Sequence, residues 1–374
     1  LFLKIYYWSP HLSKVGTIKS VYNSCKSLRN KGIDAKIINA IGEWSHIDEE
    51  IRVDLLKKNN FYNKLSRKGY FKSRLVSTLI FLVAFFPLLR LLKKNQPDYL
   101  IIHLITSLPL ILKNFFSLKT SVILRISGKI NFGLFRKFLW KKVSKNIIVT
   151  SPTEETKKKL IDKKIFPENK INLVKDPILE HFEKIDMSKI NVSRRKKFLA
   201  VGRLTKQKNF FFLVNSFSIL MNEYKDISLT IIGDSAEEKI KLEKLIHEKN
   251  LQDRIFLPGY KKNIDNLYKD FDCFVLSSLH EEPGFVLIEA ASNFLPIISS
   301  NCPSGPKEIL GYGNNGFLYR TNDQNDFLSK LVEYFEMPDK DLKDKLFNLN
   351  QKIQEYTFEN HSKELQKIFK ENKL

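Results

Sequence analysis

Two acids and two cations in the C-terminal half of this 374-residue chain have the types and spacing to handle a phosphorylated sugar. Glu281 and Glu289 stand with seven residues between them. The first lies in a loop leaving the apolar run 273–277, and the second lies about a turn and a half into a helix that opens near Gly284. Carboxylates so placed can meet an array of sugar hydroxyls. Beside them, the unpaired N–H groups at the helix start, those of Gly284, Phe285 and Val286, suit a diphosphate. Upstream, Arg203 and Lys208 follow the strand-like run 198–202 and precede a helix. Both can therefore reach the carboxyl edge of a sheet, where open α/β sheets bind ligands. Charge-assisted bonds of this kind contribute about 1.5–3 kcal/mol each. They gain weight in the transition state, when a leaving diphosphate takes on negative charge.

The elements that must hold these groups alternate between strand and helix along the chain. Strands are expected over 5–8, 35–39, 99–103, 122–126 and 147–150. A helix over 17–31 places Ile18, Val21, Tyr22, Cys25 and Leu28 on one face and stops at Gly32. Asp176 and Pro177 break the pattern, and charge then clusters through Arg194, Arg195, Lys196 and Lys197, which sets a boundary within 175–197. A second series follows: strand 198–202, a helix from Phe210, strand 228–233, helix 236–248 and strand 254–257. Such alternation implies an α/β chain of two doubly wound, parallel-sheet, Rossmann-like domains facing each other across a cleft, at 1–180 and 190–350, with a C-terminal helix over 351–374.

Further candidates sit where strands end. Gly16 lies between the first strand and the first helix, His103 closes the strand 99–103, and Ser127 and Gly128 close another. Tyr260, after Pro258 and Gly259, is a candidate to sit by the nucleobase. A lone histidine at a strand end can equally be structural. Two tempting motifs are declined. The run 311–316 spells GxGxxG but precedes the strand-like 317–319, whereas a dinucleotide fingerprint follows a strand and opens a helix, so a turn is expected. Asp270 and Asp272 spell the DxD of metal-dependent sugar transfer, yet they enter the strand at Cys273 instead of leaving one, so no metal is expected there.

Composition bounds the rest. At 43% hydrophobic and 28% charged residues the chain is globular. Its three cysteines, Cys25, Cys273 and Cys302, are too few and too scattered for a disulfide framework and fit a reducing cytosol. The opening residues read as a first strand, with no cleavable signal expected. With 63 Lys and Arg against 41 Asp and Glu, the net charge of +22 attracts polyanions: phosphorylated substrates, an anionic membrane surface or nucleic acid. The uncharged stretch 75–89 is flanked by Lys72, Arg74, Arg90, Lys93 and Lys94 and contains Pro87, which should disturb a helix near its end. Fifteen uncharged residues fall short of the roughly 20 that span a bilayer, so a helix lying in the interface and a buried core helix come before a true span, and all three are open readings. A rival function, basic nucleic-acid binding, finds its best support in 130–142, with Phe132, Phe135, Arg136, Phe138 and Trp140. A third reading is a sugar-nucleotide-binding protein without catalysis.

Three ordered blocks carry a resemblance. EEPGFVLIEA over 281–290 resembles the Glu-x7-Glu signature of the family-4 retaining glycosyltransferases (glycosyl transferases group 1). GRLTKQKN over 202–209 is similar to that family's basic phosphate-holding loop, and CPSGPKEIL with GNNGFLY over 302–319 resembles its later segments. The similarity is strong over most of 198–320 and weaker over the first 180 residues. It implies the GT-B fold, with an acceptor-binding first domain, a nucleotide-sugar-binding second domain and a C-terminal helix that returns to the first. The substrate implied is a nucleotide diphosphate sugar, UDP- or GDP-linked, with no cofactor and no metal. The acceptor implied is a cell-envelope glycan or its polyprenyl carrier, of lipopolysaccharide, O-antigen or capsule type, met at the inner face of the cytoplasmic membrane. By the same resemblance Glu281 contacts the donor sugar, Glu289 holds the ribose hydroxyls, Gly16 lies near the diphosphate and His103 lies at the donor or acceptor sugar. Departures from the pattern are Glu282-Pro283-Gly284, where many relatives have Gly-Phe-Gly, and Val15-Gly16 in place of Gly-Gly.

Overall fold

Short, nearly unbroken runs of aliphatic residues become strands buried on both faces, as parallel sheets require. The computed structural model describes residues 3–11, 16–56, 70–128, 133–184, 186–188, 190, 192–193, 195–262, 264 and 267–372, with the side chains of 70–73 and 135 excepted. Val15, Arg194, residues 130–132 and the side chains of Lys72 and Phe135, all named above, lie outside the described residues. The chain divides into two units, Leu1–Glu180 with Thr357–Leu374, and His181–Tyr356.

The first unit contains β1 (Lys4–Trp8), α1 (Gly16–Arg29), β2 (Asp34–Asn39), β3 (Arg52–Asp54), α2 (Tyr70–Asn95), β4 (Tyr99–Ile102), α3 (Ser107–Phe115), β5 (Ser121–Arg125), α4 (Leu134–Val143), β6 (Ile147–Ser151), α5 (Glu154–Asp162) and β7 (Ile171–Leu173). Its seven strands pair in parallel in the order β3-β2-β1-β4-β5-β6-β7. The order reverses between β1 and β4. One face of the sheet packs Trp8, Ile102 and Val149 against α2, and the other packs Ile5, Tyr7 and Ile123 against Val21, Cys25 and Leu28 of α1.

The second unit contains β8 (Lys197–Val201), α6 (Phe210–Glu223), β9 (Ser228–Ile232), α7 (Ala236–Glu248), β10 (Ile255–Gly259), β11 (Cys273–Leu276), α8 (Phe285–Ser292), β12 (Ile297–Ser300), α9 (Pro306–Ile309), β13 (Phe317–Tyr319), α10 (Gln324–Glu336) and α11 (Asp339–Ile353). Its six strands are also parallel, in the order β10-β9-β8-β11-β12-β13, and reverse between β8 and β11. The last helix, α12 (Phe358–Glu371), belongs to the first unit, where Leu365, Ile368 and Phe369 pack beside Tyr99.

Several expectations need correction. The division falls at Glu180 and His181, and the chain rejoins the first unit at Thr357, because 351–353 finish α11 instead of starting the terminal helix. Pro87 does not end its helix. α2 runs on through it to Asn95, because Ala84, Leu88 and Leu92 on either side of the proline are buried in the core. This offsets the missing N–H, which would cost about 3 kcal/mol in an exposed helix. Because the helix takes in its basic flanks, Arg74–Asn95 is long and apolar enough, by length and composition, to cross a membrane. All three cysteines are buried and free, with burial pushing Cys25 and Cys302 each up to about 12.

Candidate active site

Three loops leave the carboxyl edge of the second sheet around its switch point, and three bare glycines let them pack. After β8, a Cβ on Gly202 would stand 2.9 Å from Lys208 Cε, so the absent side chain lets the lysine stem lie along the main chain. After β9, a Cβ on Gly233 would stand 1.8 Å from the Gly202 carbonyl oxygen. Between β12 and α9, Gly305 has φ +109°, and a Cβ there would stand 1.9 Å from the Pro283 carbonyl oxygen. At Gly233 and Gly305 the neighbour is backbone and only glycine fits, whereas at Gly202 a Cβ would push the lysine side chain aside.

The side chains carried by the loops after β8 and β11 meet there. Lys208 Nζ lies 2.5 Å from Glu281 Oε1, and the two side chains are only 12% and 8% exposed. Ser278 Oγ donates to the same Glu281 oxygen at 2.6 Å. The loops are tied to each other as well. Ser277 Oγ donates to the Lys208 carbonyl at 2.7 Å, Gln207 Nε2 donates to the His280 carbonyl at 2.9 Å, and the Glu281 N–H donates to the Pro303 carbonyl at 2.9 Å. Gly284, at φ +102°, opens α8, and no side chain caps it, so the first N–H groups of Gly284, Phe285 and Val286 face a position that an anion can fill. One turn on, Glu289 accepts from Tyr268 Oη at 3.3 Å. Arg203 is exposed, and no ion pair or side-chain hydrogen bond holds its guanidinium among the described residues. Tyr260 is 71% exposed beyond the end of β10.

The reading of 202–209 and 281–289 as a single site thus meets a geometry in which Lys208 and Glu281 already touch. The structure adds two groups that the sequence reasoning missed, Ser277 and Ser278. Their signal was present, since a pair of small hydroxyl residues directly after an apolar strand marks a carboxyl edge. Asp272 Oδ2 accepts from the N–H groups of Lys196 and Lys197 at 3.0 and 2.9 Å, which commits it to the opposite, amino edge of the sheet. Gly311–Gly313 forms a tight turn before β13. Among the described residues, no three His, Cys, Asp or Glu side chains come together as a metal cluster.

The first unit carries its own candidates at its own switch point. His103 follows β4 and is 9% exposed, and neither ring nitrogen has a hydrogen-bond partner among the described residues. Burial, then the charges of Arg125 and His361, hold its pKa well below the usual histidine range, so the ring is neutral, with one idle donor and one idle acceptor. Ser9, directly after the neighbouring β1, is fully buried, and its Oγ is also without a partner among the described residues. Each such group costs about 1–3 kcal/mol until something satisfies it. Gly16 is the exposed first residue of α1. Ser127 is taken up by the Arg125 guanidinium at 2.7 Å, and Gly128 has φ +76°. Of the aromatic residues proposed for nucleic acid, Trp140 is buried and Phe138 is exposed, so the two do not form one platform.

Comparison with known proteins agrees with this architecture. A glycosyltransferase from Rickettsia africae superposes with a TM-score of 0.79 over 99% of this chain and 98% of its own, at 18% identity, and shares the GT-B fold. Residues 182–357 match the family described as glycosyl transferases group 1. The match takes in nearly all of the second unit and just under half of the chain, so it is the second unit that is similar to a group 1 glycosyltransferase domain. An uncharacterized glycosyltransferase of Haemophilus influenzae is 26% identical over 84% of this chain and 85% of its own. The UDP-Gal:α-D-GlcNAc-diphosphoundecaprenol α-1,3-galactosyltransferase of Escherichia coli is 34% identical over 36% of this chain and 35% of its own. Four curated relatives that reach 30% identity align over 20–36% of their own length.

Proposed function

We propose that this protein transfers a hexosyl or N-acetylhexosaminyl group from a nucleotide diphosphate sugar, UDP- or GDP-linked, to a cell-envelope glycan or its polyprenyl-linked precursor. The reaction proceeds on the cytoplasmic side of the membrane, without a metal ion and with retention of anomeric configuration. The observation that carries this reading is the shielded Lys208–Glu281 pair beside the uncapped start of α8, at the switch point of a unit similar to a group 1 domain. The partial match to an enzyme named for a lipid-diphosphate acceptor supports the acceptor class.

In this reading the diphosphate lies at the start of α8, where the N–H groups and Lys208 take the charge that a metal would otherwise carry, with Arg203 closing from solvent. Lys208 then stands between Glu281 and the phosphate. Glu281, fixed by Ser278, accepts from the donor sugar's hydroxyls, and Glu289 accepts from those of the ribose. An acceptor hydroxyl attacks the anomeric carbon from the side of the leaving group. The bond from that carbon to the phosphate oxygen breaks, and the same oxygen takes the acceptor's proton. His103, neutral and with both nitrogens idle, is available to a sugar hydroxyl.

A thermal-shift panel of UDP, GDP, ADP and their sugars tests the reading. The true donor nucleotide, at about 100 times its dissociation constant, adds about 2.7 kcal/mol to stability. Stabilisation by none of the nucleotides would sink it, whereas stabilisation without sugar transfer would favour a non-catalytic binder.

A further inference from the structure

The net charge is not spread evenly along the chain. Between Tyr70 and Thr153 there are fourteen Lys and Arg residues and a single acid, Asp98, so thirteen of the twenty-two net positive charges fall in this one stretch. It contains α2, α3 and α4, which the first unit sets side by side. Phe85 of α2 stands 6.1 Å, centroid to centroid, from Phe116 at the end of α3, and Lys93 Nζ lies 5.6 Å from that same ring. Lys142 of α4 lies 5.0 Å over Phe115 of α3.

On α2 the residues sort by face. Val76, Ile80, Ala84, Leu88 and Leu92, at every fourth position, are buried in the core of the first unit. Leu75, Leu82 and Phe86 point out on the far side, and Phe115, Leu134 and Phe138 are likewise bare, all six being 64–89% exposed. Exposed Arg90, Lys93 and Lys94 follow this ridge on α2, and exposed Lys137, Lys141 and Lys142 lie along α4.

We infer that this three-helix face seats the protein on an anionic lipid bilayer, with α2 lying half-embedded in the interface instead of crossing it. Six bare apolar side chains set among the basic residues of these helices fit the boundary between acyl chains and phosphates, where Lys and Arg reach to the headgroups. The charge argues against a second copy of the same face, which would set like charges together. The exposed aliphatic groups, Leu75, Leu82 and Leu134, offer no stacking surface to a nucleic acid. Crossing the bilayer would draw the buried stripe of α2 out of the core it helps to build. The inference extends the reading of a lipid-linked acceptor, and it is tested without any sugar nucleotide, so that its failure leaves the donor-binding result untouched.

The experiment is sedimentation of the full chain with vesicles of phosphatidylcholine, alone and with phosphatidylglycerol added. The protein pellets with the anionic vesicles only, and high salt releases it. K93Q with K142Q lowers partitioning by about 30-fold. L82S with F86S, on exposed positions, lowers it as well while leaving the melting temperature unchanged. The inference is overturned by any of the following: no pelleting with anionic vesicles, equal pelleting by all variants, retention on vesicles at high salt as a spanning helix would give, or RNA displacing the protein from the vesicles.

Discussion

Lys208 and Glu281 compensate each other across two strands, so neither is an isolated charge waiting for a ligand. A pair this shielded from water is costly to break by removing one partner, because the other is left behind. The same shielding is what lets a small displacement of Lys208 toward a diphosphate carry weight in the barrier. Lys208→Ala and Glu281→Ala should each lower sugar transfer by at least about 100-fold, or about 2.7 kcal/mol. The double variant should melt above either single one and stay as inactive, which separates a stability effect from a catalytic one. Near-normal transfer by both folded single variants would remove these residues from the mechanism. Arg203 differs in kind, since it is exposed and meets no acid among the described residues, and it can move to a ligand without breaking an ion pair there.

At the level of elements, the glycines that end β8 and β9 decide how closely the site loops approach. Gly233→Ala places a Cβ 1.8 Å from the Gly202 carbonyl oxygen, a clash with backbone that no rotamer relieves. A loss of about 3 kcal/mol in unfolding free energy is expected, together with lost donor binding, because Gly202 flanks the Lys208 stem. Gly133→Ala is the control. It sits at the start of α4 with nothing within 4 Å of its Cβ position, and its effect in the same urea titration should stay under about 1 kcal/mol. An equal effect of the two substitutions would mean that the close approach of these loops does not matter. α2 shows the opposite balance. There a proline that should stop a helix is carried through, because a buried apolar stripe outweighs one missing hydrogen bond.

Across the whole molecule, the first unit is closed by a segment almost two hundred residues away in sequence from its last strand. His361 on α12 donates through Nδ1 to the Lys175 carbonyl at 2.6 Å, which leaves Nε2 to accept from Ser24 Oγ at 2.6 Å, and Ser24 in turn accepts from Tyr7 Oη at 2.7 Å. Burial lowers the His361 pKa from 6.5 to about 4. The unfolded chain therefore binds this proton first, and stability falls as pH drops from about 6.5 to about 4, by about 3 kcal/mol at most, then levels off. His103, depressed for the same first reason, adds in the same direction. Urea midpoints across that range check this, and a flat profile contradicts it. The sequence alone determined the alternation of strand and helix, the parallel sheets, and the acids, cations and helix start of the second unit, because hydrophobic period and turn residues are local properties of a chain. It could not determine strand order, and so could not say that the loops after β8 and β11 are neighbours. Nor could it show that Lys208 bonds Glu281, that Ser278 braces that acid, or that His103 and Ser9 are left without partners among the described residues. Those facts depend on contacts between residues far apart along the chain, and only the packed sheets bring such residues together.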